Sequence, residues 1–395
     1  MGDNMYDVIV IGSGPAGLMA SIVASKNNKV LLLEKNEISG KKLLITGGGR
    51  CNLTNLKSNR DFLDEVDYNK KYLYSAVNKF GPYEIYDYFT KQGIKLKEEE
   101  DNKIFPVSNR ASEILQCLLD DLKKVDVKYH ENVQDIKIIG DLKELTTNKE
   151  VYTSKNIIIA TGGSSFKQTG STGDNMKFAK MLNQPTVNLF PAEVGLVLKD
   201  SLQILAGTSF EEVTVKYMNK RTTGNLIFTH RGISGSAIMK ISEHVYLNDS
   251  KEITIDLLPN ISSDELKSMI NNFDREKELA TFLNILFTKR FSSYLVDKLN
   301  MNVKIKSLYH KTIDKVINEI KEYKLSILKV ENLDKAYVTG GGVDMNYIDT
   351  STMESKINKG VYFVGEALDI HGPIGGYNIT LALSTGFLAG SSVKK

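Results

Sequence analysis

The chain has 395 residues, with 51 basic and 48 acidic side chains and a formal net charge of +3. This length favours two or three domains with ample core, and the near balance of charge gives no support for nucleic-acid binding. No apolar run approaches the ~20 residues that a membrane-spanning helix needs, and the N-terminus enters a strand pattern without a signal peptide. Two scattered cysteines do not indicate a disulfide framework. We therefore expect a cytoplasmic protein.

The first predicted elements, over residues 6–34, form a dinucleotide-binding βαβ unit. An apolar run ends at the glycine-rich turn 12–17, a helix-compatible segment follows, and a second apolar run ends at Glu34. Strand, glycine turn, helix, strand and acid within about 30 residues are typical of this unit. The helix N-terminus offers free N–H groups to a pyrophosphate, and Glu34 is placed to accept hydrogen bonds from the adenosine ribose. The predicted cofactor-binding residues here are Gly12, Ser13, Gly14, Pro15, Ala16, Gly17, Glu34 and Lys35.

Three further glycine clusters indicate that the dinucleotide is FAD. They are TGGGRCN at 46–52, ATGG at 160–163 after another apolar strand, and the C-terminal pair of GEA at 365–367 and GGYN at 375–378. In this order they are the pattern of FAD-binding Rossmann proteins. Glu366 is expected to hold the ribityl hydroxyls, and the helix that begins after GG is expected to face the flavin, because a helix N-terminus favours negative charge. The predicted cofactor contacts here are Thr161, Gly162, Gly365, Glu366, Gly375, Gly376, Tyr377 and Asn378.

The middle of the chain predicts an insertion into the flavin domain. Short strands at 125–129, 133–139 and 151–152 lead as a meander into the strand at 156–161. Later β-branched runs indicate strands up to Pro259, after which an N-cap pattern and helical spacing of apolar residues indicate helices. We predict an α/β protein with an FAD-binding Rossmann-type (GR2-like) domain and an inserted β-rich plus helical substrate domain. The predicted bounds are 1–188 and 336–395 for the flavin domain and 189–335 for the insertion, β-rich over 189–259 and helical over 260–335.

A second nucleotide domain is not predicted. Gly340–Gly342 follow a strand-like segment but open no helix pattern, so we interpret them as a tight turn beside the flavin. CxxC is also missing, unlike in disulfide reductases. Two hypotheses follow for the electron donor: NAD(P)H docks transiently at the flavin face, or the substrate itself reduces the flavin.

Several segments of the chain resemble the BaiN/YhiN-type flavoproteins, also called the aminoacetone oxidase family. The segments are 39–55 with TGGGRCN, 170–180, 226–235, TMESK at 352–356, and 365–380. The resemblance implies FAD as cofactor and either amine oxidation or reduction of enone double bonds in bile-acid-like steroids. It also implies that Val133 bonds the adenine through its backbone. The residues it places at the pyrophosphate or flavin are Lys42, Gly49, Arg50, Cys51 and Asn52; for Cys51, simple packing is an open alternative.

Candidate catalytic residues are His371 and His230, since both lie in the family-like segments and histidine titrates near neutral pH. A structural role is open for each. The predicted function is an FAD-dependent oxidoreductase, reduced by NAD(P)H and reoxidised by an enone-type small molecule. An amine oxidase that yields hydrogen peroxide is the alternative, and a non-catalytic flavoprotein is a third possibility. We predict no metal, no nucleic-acid partner and no membrane span; the pattern predicts no oligomeric state.

Overall fold

The computed structural model describes residues 4–248 and 250–394. The chain divides into two compact units. Unit 1 comprises the residues up to Phe190 and from Tyr337 onward, and unit 2 is Pro191–Ala336. The sequence predicts an insertion at 189–335, whereas unit 2 begins at Pro191 and ends at Ala336. Each unit has its own cluster of buried apolar side chains.

Strands are spread along both units. In chain order they are β1 (Met5–Ile11), β2 (Val30–Leu33), β3 (Thr54–Asn55), β4 (Leu96–Glu99), β5 (Lys103–Pro106), β6 (Val125–Lys128), β7 (Val133–Ile139), β8 (Leu142–Thr147), β9 (Val151–Ile159), β10 (Thr186–Ala192), β11 (Leu196–Leu198), β12 (Ser209–Tyr217), β13 (Lys220–Phe228), β14 (Gly232–Ser234), β15 (Glu252–Asp256), β16 (Tyr323–Val330), β17 (Val338–Val343), β18 (Ile348–Asp349), β19 (Glu354–Ser355) and β20 (Val361–Phe363).

Helices alternate with these strands in unit 1 and cluster late in unit 2. In chain order they are α1 (Pro15–Ala24), α2 (Lys41–Ile45), α3 (Asn59–Asp64), α4 (Tyr74–Lys79), α5 (Pro82–Lys91), α6 (Ala111–Asp120), α7 (Asp174–Met181), α8 (Ser236–Leu247), α9 (Ser263–Asn272), α10 (Leu279–Leu286), α11 (Lys289–Leu299), α12 (His310–Lys321) and α13 (Tyr377–Ser392).

The central sheet of unit 1 has the order β18-β19-β20-β9-β1-β2-β6, and the β7-β8 hairpin joins it at β9. Strands β20, β9, β1, β2 and β6 are parallel. The apolar runs of β1 and β2 are buried almost throughout, as strands covered on both faces require. The predicted meander differs from the observed one in two respects. The strand β8, which pairs with both β7 and β9, was not predicted, and the strands predicted at 151–152 and 156–161 form the single strand β9.

Two helices of unit 1 pack at very close range because α13 presents glycines to α1. A Cβ at Gly386 would lie 2.3 Å from the carbonyl oxygen of Ala16, and one at Gly390 would lie 2.5 Å from that of Ala20. Any side chain at these positions would force the helices apart. The N-terminus of α1 and the N-terminus of α13 are therefore held in one fixed arrangement.

Unit 2 is a closed barrel with the order β11-β14-β13-β12-β15-β16 and with helices around it. Two elements of unit 2 were not predicted from the sequence. The stretch predicted as β-rich contains the helix α8, which packs on β12 and β13. The stretch predicted as helical ends in β16, which pairs with β11 and β15 and closes the barrel. A long-range pairing of this kind leaves no local periodicity that identifies it.

The interpretation of Gly340–Gly342 as a tight turn is also wrong. These glycines lie inside the buried strand β17, which pairs with β10. A Cβ at Gly340 would lie 2.2 Å from the ring of Phe190, and one at Gly341 would lie 2.2 Å from the carbonyl oxygen of Asn188. The glycines allow close packing between strands.

The aromatic core of unit 2 generates a stability prediction. Phe291 is fully buried and lies 5.0 Å from Phe210, 5.2 Å from Phe287 and 6.0 Å from Tyr323, measured between ring centroids. Phe291→Ala should lower the free energy of unfolding by about 3–5 kcal/mol, because it removes buried contacts and leaves a cavity. Urea unfolding measures this loss. The control Ile285→Ala, at a position 62% exposed, should change little; equal losses in both variants would contradict the prediction.

Candidate active site

The candidate site lies in unit 1, where the parallel strands end. Backbone hydrogen bonds continue across this edge, from the N–H of Gly12 to Leu33, from Ala160 to Ile11 and from Val364 to Ile159. Ligands of open α/β sheets bind outside the carboxyl ends of the strands. The predicted glycine turn 12–17, Glu34, the ATGG segment and the GEA segment are thus brought to a common edge.

The glycine turn has the backbone geometry that the motif requires. Gly12 has a φ of +97°, and a Cβ at Gly17 would lie 1.9 Å from the carbonyl oxygen of Gly12. A Cβ at Gly14 would meet no atom within 4 Å. Helix α1 begins at Pro15 without a side-chain cap. Its first N–H groups and the open space at Gly14 fit a phosphate group that approaches the backbone.

Glu34 is buried and fixed by four hydrogen bonds. Its Oε2 accepts from the N–H and hydroxyl of Ser13, at 2.9 and 2.6 Å. Its Oε1 accepts from the N–H and side-chain amide of Asn36, both at 2.8 Å. Lys35 donates to Thr172 and Asp174, each at 2.7 Å. Ser13 was predicted at the site, but Asn36 was missed because no motif includes it.

Lys42 and Glu366 form an ion pair that ties α2 to the end of β20. The Nζ of Lys42 donates to Oε2 of Glu366 at 2.7 Å and to the hydroxyl of Ser165 at 2.6 Å. The N–H of Thr339 donates to Oε1 of Glu366 at 3.0 Å, and that of Gly163 to Oε2 at 3.4 Å. Burial by itself would raise the pKa of Glu366, but the charge of Lys42 and these hydrogen bonds outweigh it and lower the pKa.

The TGGGRCN segment is a tight turn. Gly47, Gly48 and Gly49 have positive φ angles, and so does Cys51. Arg50 donates to both carboxylate oxygens of Glu99, at 3.0 and 3.1 Å, and its guanidinium lies 4.2 Å from the ring centroid of Phe105.

Four predicted residues lie in or near the core. Cys51 is fully buried and belongs to the apolar core of unit 1. Val133 is buried, and its carbonyl oxygen accepts from Lys177 at 3.4 Å. The Oδ1 of Asn52 and the Oγ1 of Thr161 are buried and accept no hydrogen bond within the described part of the chain. Buried polar atoms of this kind fit a site that a polar cofactor completes.

The GGYN segment starts α13 beside β3. Gly376 has a φ of +94°, and a Cβ there would lie 2.5 Å from the carbonyl carbon of Thr54. Tyr377 stacks on Phe62 with 4.6 Å between ring centroids. Asn378 accepts from the N–H of Gly372 at 3.0 Å and donates to its carbonyl oxygen at 2.7 Å. Asn378 therefore fixes the loop that precedes the helix.

The two candidate histidines lie in different units. His371 belongs to unit 1, is only 3% exposed, and stacks on Tyr68 with 4.6 Å between ring centroids. His230 is an exposed residue of unit 2, in the loop between β13 and β14. Sequence reasoning missed Tyr68, since the Asp67-Tyr68-Asn69 stretch matches no motif.

Residues 4–248 and 250–394 contain neither a candidate metal site nor a candidate membrane span. Within these ranges no group of three or more His, Cys, Asp or Glu side chains is placed to hold a metal ion. Within the same ranges no helix combines the length and the apolar character that crossing a membrane requires.

Comparison with known families shows the family to which the chain belongs. The model of the HI0933-like protein Rossmann domain matches residues 6–392. The chain belongs to this family. The resemblance to BaiN/YhiN-type flavoproteins is confirmed, as are the α/β fold with an FAD-binding Rossmann-type domain and the prediction of an FAD-dependent oxidoreductase.

Two curated relatives align with the chain along nearly their full length. A ribosomal RNA dihydrouridine synthase of Escherichia coli (strain K12) is 30% identical over 398 residues, which cover 96% of each chain. A 3-dehydro-bile acid delta(4,6)-reductase of Clostridium scindens is 28% identical over 405 residues, which cover 98% of each chain. The two relatives are almost equally similar to the chain.

Solved structures share the fold at low sequence identity. A flavocytochrome c3 fumarate reductase superposes with a TM-score of 0.54 at 16% identity, covering 99% of this chain and 78% of the other. A 3-ketosteroid-delta4-(5alpha)-dehydrogenase from Rhodococcus jostii RHA1 superposes with a TM-score of 0.53 at 12% identity, covering 100% and 98%. These matches support the fold alone.

The lowered pKa of Glu366 generates a prediction on acid stability. A carboxyl whose pKa in the folded state lies below its ordinary value of 4.5 stabilises the fold above that pH, and the contribution disappears as pH falls through the lowered value. Glu366→Gln should therefore lower the urea midpoint near pH 7, and this difference from the wild type should shrink as the pH is lowered below 4.5. The control Glu100→Gln, at an exposed side chain of the same unit, should have little effect at either pH. A difference for Glu366→Gln that persists unchanged in acid would contradict this assignment.

The two thiols generate a prediction on reactivity. Burial raises the pKa of Cys51 and of Cys117 to about 12 in each case, and the thiolate is the reactive form. The native protein should therefore react very slowly with a thiol reagent at about pH 8, and both thiols should react after denaturation. Mass spectrometry of alkylated protein measures this. Rapid native labelling of Cys51 would contradict its assignment to the core.

Proposed function

We propose that the protein reduces C=C bonds that are conjugated with a carbonyl group. The observation that carries this proposal is that the two relatives described above are named for the same kind of reaction. A delta(4,6)-reductase of a 3-dehydro steroid acid saturates ring C=C bonds in conjugation with an oxo group. Dihydrouridine differs from uridine by saturation of the ring C=C bond beside a carbonyl. One reaction therefore accounts for both names.

We propose that the predicted residues of unit 1 hold FAD, which when bound supplies hydride-transfer chemistry. The first N–H groups of α1 would bind the pyrophosphate, and Glu34 would bind the adenosine ribose. Lys42 and Glu366 would bind the ribityl side. The N-terminus of α13 would stabilise negative charge on the flavin by about 0.3–1 kcal/mol, and more where it is buried. The open backbone at Gly14 supports this arrangement.

We propose NAD(P)H as the electron donor, docking at the flavin in turn with the acceptor. A shared face predicts ping-pong kinetics with mutual competition. The acceptor is a small molecule of the enone type in this proposal, and the amine oxidase is the alternative.

Cofactor binding is tested first. The purified protein should be yellow and should release FAD, not FMN, on denaturation. Glu34→Arg should weaken FAD binding, since it removes an acceptor and places a cation beside the N-terminus of α1. Fluorescence titration of the flavin-free protein measures the dissociation constant. The control Glu37→Arg, which changes charge equally at a side chain 55% exposed, should bind FAD normally. A protein that cannot be reconstituted with FAD would refute the cofactor assignment.

The reaction is tested by anaerobic stopped-flow spectroscopy. NADH or NADPH should bleach the flavin, and an α,β-unsaturated ketone should restore its colour with formation of the saturated ketone. Bleaching by a small amine, with no bleaching by either nicotinamide, would replace this proposal with the oxidase.

Ribosomal RNA is a second candidate acceptor. The relative of 30% identity is named for that substrate, although the net charge of +3 led us to predict no nucleic-acid partner. The reduced protein should be offered a bile-acid-like enone and unmodified ribosomal RNA in separate reactions. Reoxidation by RNA with formation of dihydrouridine, and none by the enone, would assign the RNA substrate and contradict our prediction of a small-molecule acceptor.

A further inference from the structure

A buried polar cluster lies in the loop before α13 and has no role in the proposed cofactor contacts. Its members are Asp369, which is 4% exposed, His371, which is 3% exposed, and the half-buried Tyr68 and Asn69. Asp369 and His371 come from the C-terminal part of unit 1, whereas Tyr68 and Asn69 follow α3. Polar groups at this depth require a structural or chemical reason.

Tyr68 connects the members of the cluster. Its hydroxyl donates to Oδ2 of Asp369 at 3.2 Å. Its ring stacks on His371 with 26° between the ring planes, and it contacts Phe190 edge-on at 5.8 Å between centroids. His371 is therefore covered by Tyr68, and Tyr68 is the ring with access to solvent.

Only one of the two carboxylate oxygens of Asp369, Oδ2, accepts hydrogen bonds from described residues. The side-chain amide of Asn69 donates to its carbonyl oxygen at 2.7 Å and to its Oδ2 at 3.0 Å. Its Oδ1 is buried and accepts no hydrogen bond from any described residue. The pKa of Asp369 is raised, mainly because the side chain is buried, and the charge of Asp344 adds to this effect. The hydrogen bonds from Tyr68 and Asn69 and the charge of His371 lower the pKa but do not outweigh burial.

The segment that carries Tyr68 runs along the start of α13. A Cβ at Gly372 would lie 3.4 Å from Cγ2 of Val66. Phe62 stacks on Tyr377, the first residue of the helix, and Asn378 bonds back to Gly372. The segment that carries Tyr68 is thus packed against the loop and the first residue of the helix that we assign to the flavin.

We propose that Tyr68 is the catalytic proton donor of the reduction and that Asp369 is its positioning residue. This inference rests on the proposed function. FAD, when bound and reduced, would supply a hydride to the β-carbon of the substrate, and the C=C electron pair would move to the carbonyl oxygen to give an enolate. The Tyr68 hydroxyl gives its proton to the α-carbon, which completes the saturated ketone. The resulting phenolate regains a proton from water.

Exposure favours Tyr68 over His371 as the donor. A proton donor must come within hydrogen-bond distance of the atom that it protonates. The stacked ring of Tyr68 separates His371 from solvent on that side, whereas the hydroxyl of Tyr68 needs only to turn from Asp369 to a bound carbonyl compound. In this proposal the imidazole ring of His371 positions the ring of Tyr68 by stacking against it.

Tyr68→Phe is the decisive variant because it keeps the stacked ring and removes only the hydroxyl. The flavin is reduced anaerobically with dithionite, an enone is added, and reoxidation is followed in a single turnover. Tyr68→Phe should reoxidise about 10²–10⁴-fold more slowly than the wild type, with normal FAD content and normal bleaching by NAD(P)H. Asp369→Asn should slow the same step to a lesser extent. The control Tyr72→Phe, whose hydroxyl bonds to Asn346 at 2.6 Å, should behave as the wild type.

A second readout does not depend on activity. The pKa of Asp369 is followed by carboxyl NMR in the oxidised protein without substrate. Tyr68→Phe removes a hydrogen bond that lowers this pKa, so the pKa should rise in the variant. Tyr72→Phe should leave it unchanged.

The outcomes separate this inference from the proposed function. Reoxidation of Tyr68→Phe at the wild-type rate, while His371→Ala is slow, would overturn the inference and make His371 the donor. Loss of FAD from Tyr68→Phe, or an unchanged pKa of Asp369, would also overturn it. A wild-type protein that no enone reoxidises would refute the proposed function, and the inference with it. Slow reoxidation confined to Tyr68→Phe and Asp369→Asn supports both.

Discussion

The candidate site depends on the registration of four parallel strands, β20, β9, β1 and β2, whose carboxyl ends meet at one edge of a sheet. Hydrogen bonds across that edge fix the position of the last residue of each strand relative to the last residue of its neighbour. The glycine turn, the ATGG segment and the GEA segment therefore face one another although they are distant in sequence. The glycine contacts between α1 and α13 add a second constraint, since they fix the two helix N-termini on which binding of a pyrophosphate and of a flavin would depend.

Charge in this site is compensated by local partners. Glu34 is surrounded by donors from Ser13 and Asn36, and Glu366 by donors from Lys42, Thr339 and Gly163. Glu34 is buried and Glu366 is half-buried, and carboxylates withdrawn from water require such donors. Both carboxylates are consequently held in fixed orientations, which reduces the entropic cost of binding a cofactor to them.

The buried cluster of Tyr68, Asp369 and His371 differs from this arrangement, because one oxygen of Asp369 accepts no hydrogen bond from the described residues. A catalytic acid becomes negatively charged when it gives up its proton, so the hydrogen bonds around it must be able to rearrange. The residues that bind a cofactor are instead held in fixed positions. The two relatives named above act on very different molecules, a steroid acid and a ribosomal RNA. The proton-transfer step that we propose for this chain concerns only the C=C bond and its carbonyl group, so it is compatible with either kind of molecule.

The sequence by itself determined the cofactor class and the positions of its glycine turns, because the steric requirement for a missing side chain is local and appears directly as glycine. It also determined the alternation of strand and helix in the flavin domain, since burial on both faces produces continuous apolar runs. The tertiary structure alone decided the pairing of Lys42 with Glu366 and the contact of Tyr68 with Asp369, which join residues 324 and 301 positions apart. It also decided the strand role of β16, which had been predicted as helical. Such contacts depend on which surfaces the folded chain brings together, and no short-range pattern records them.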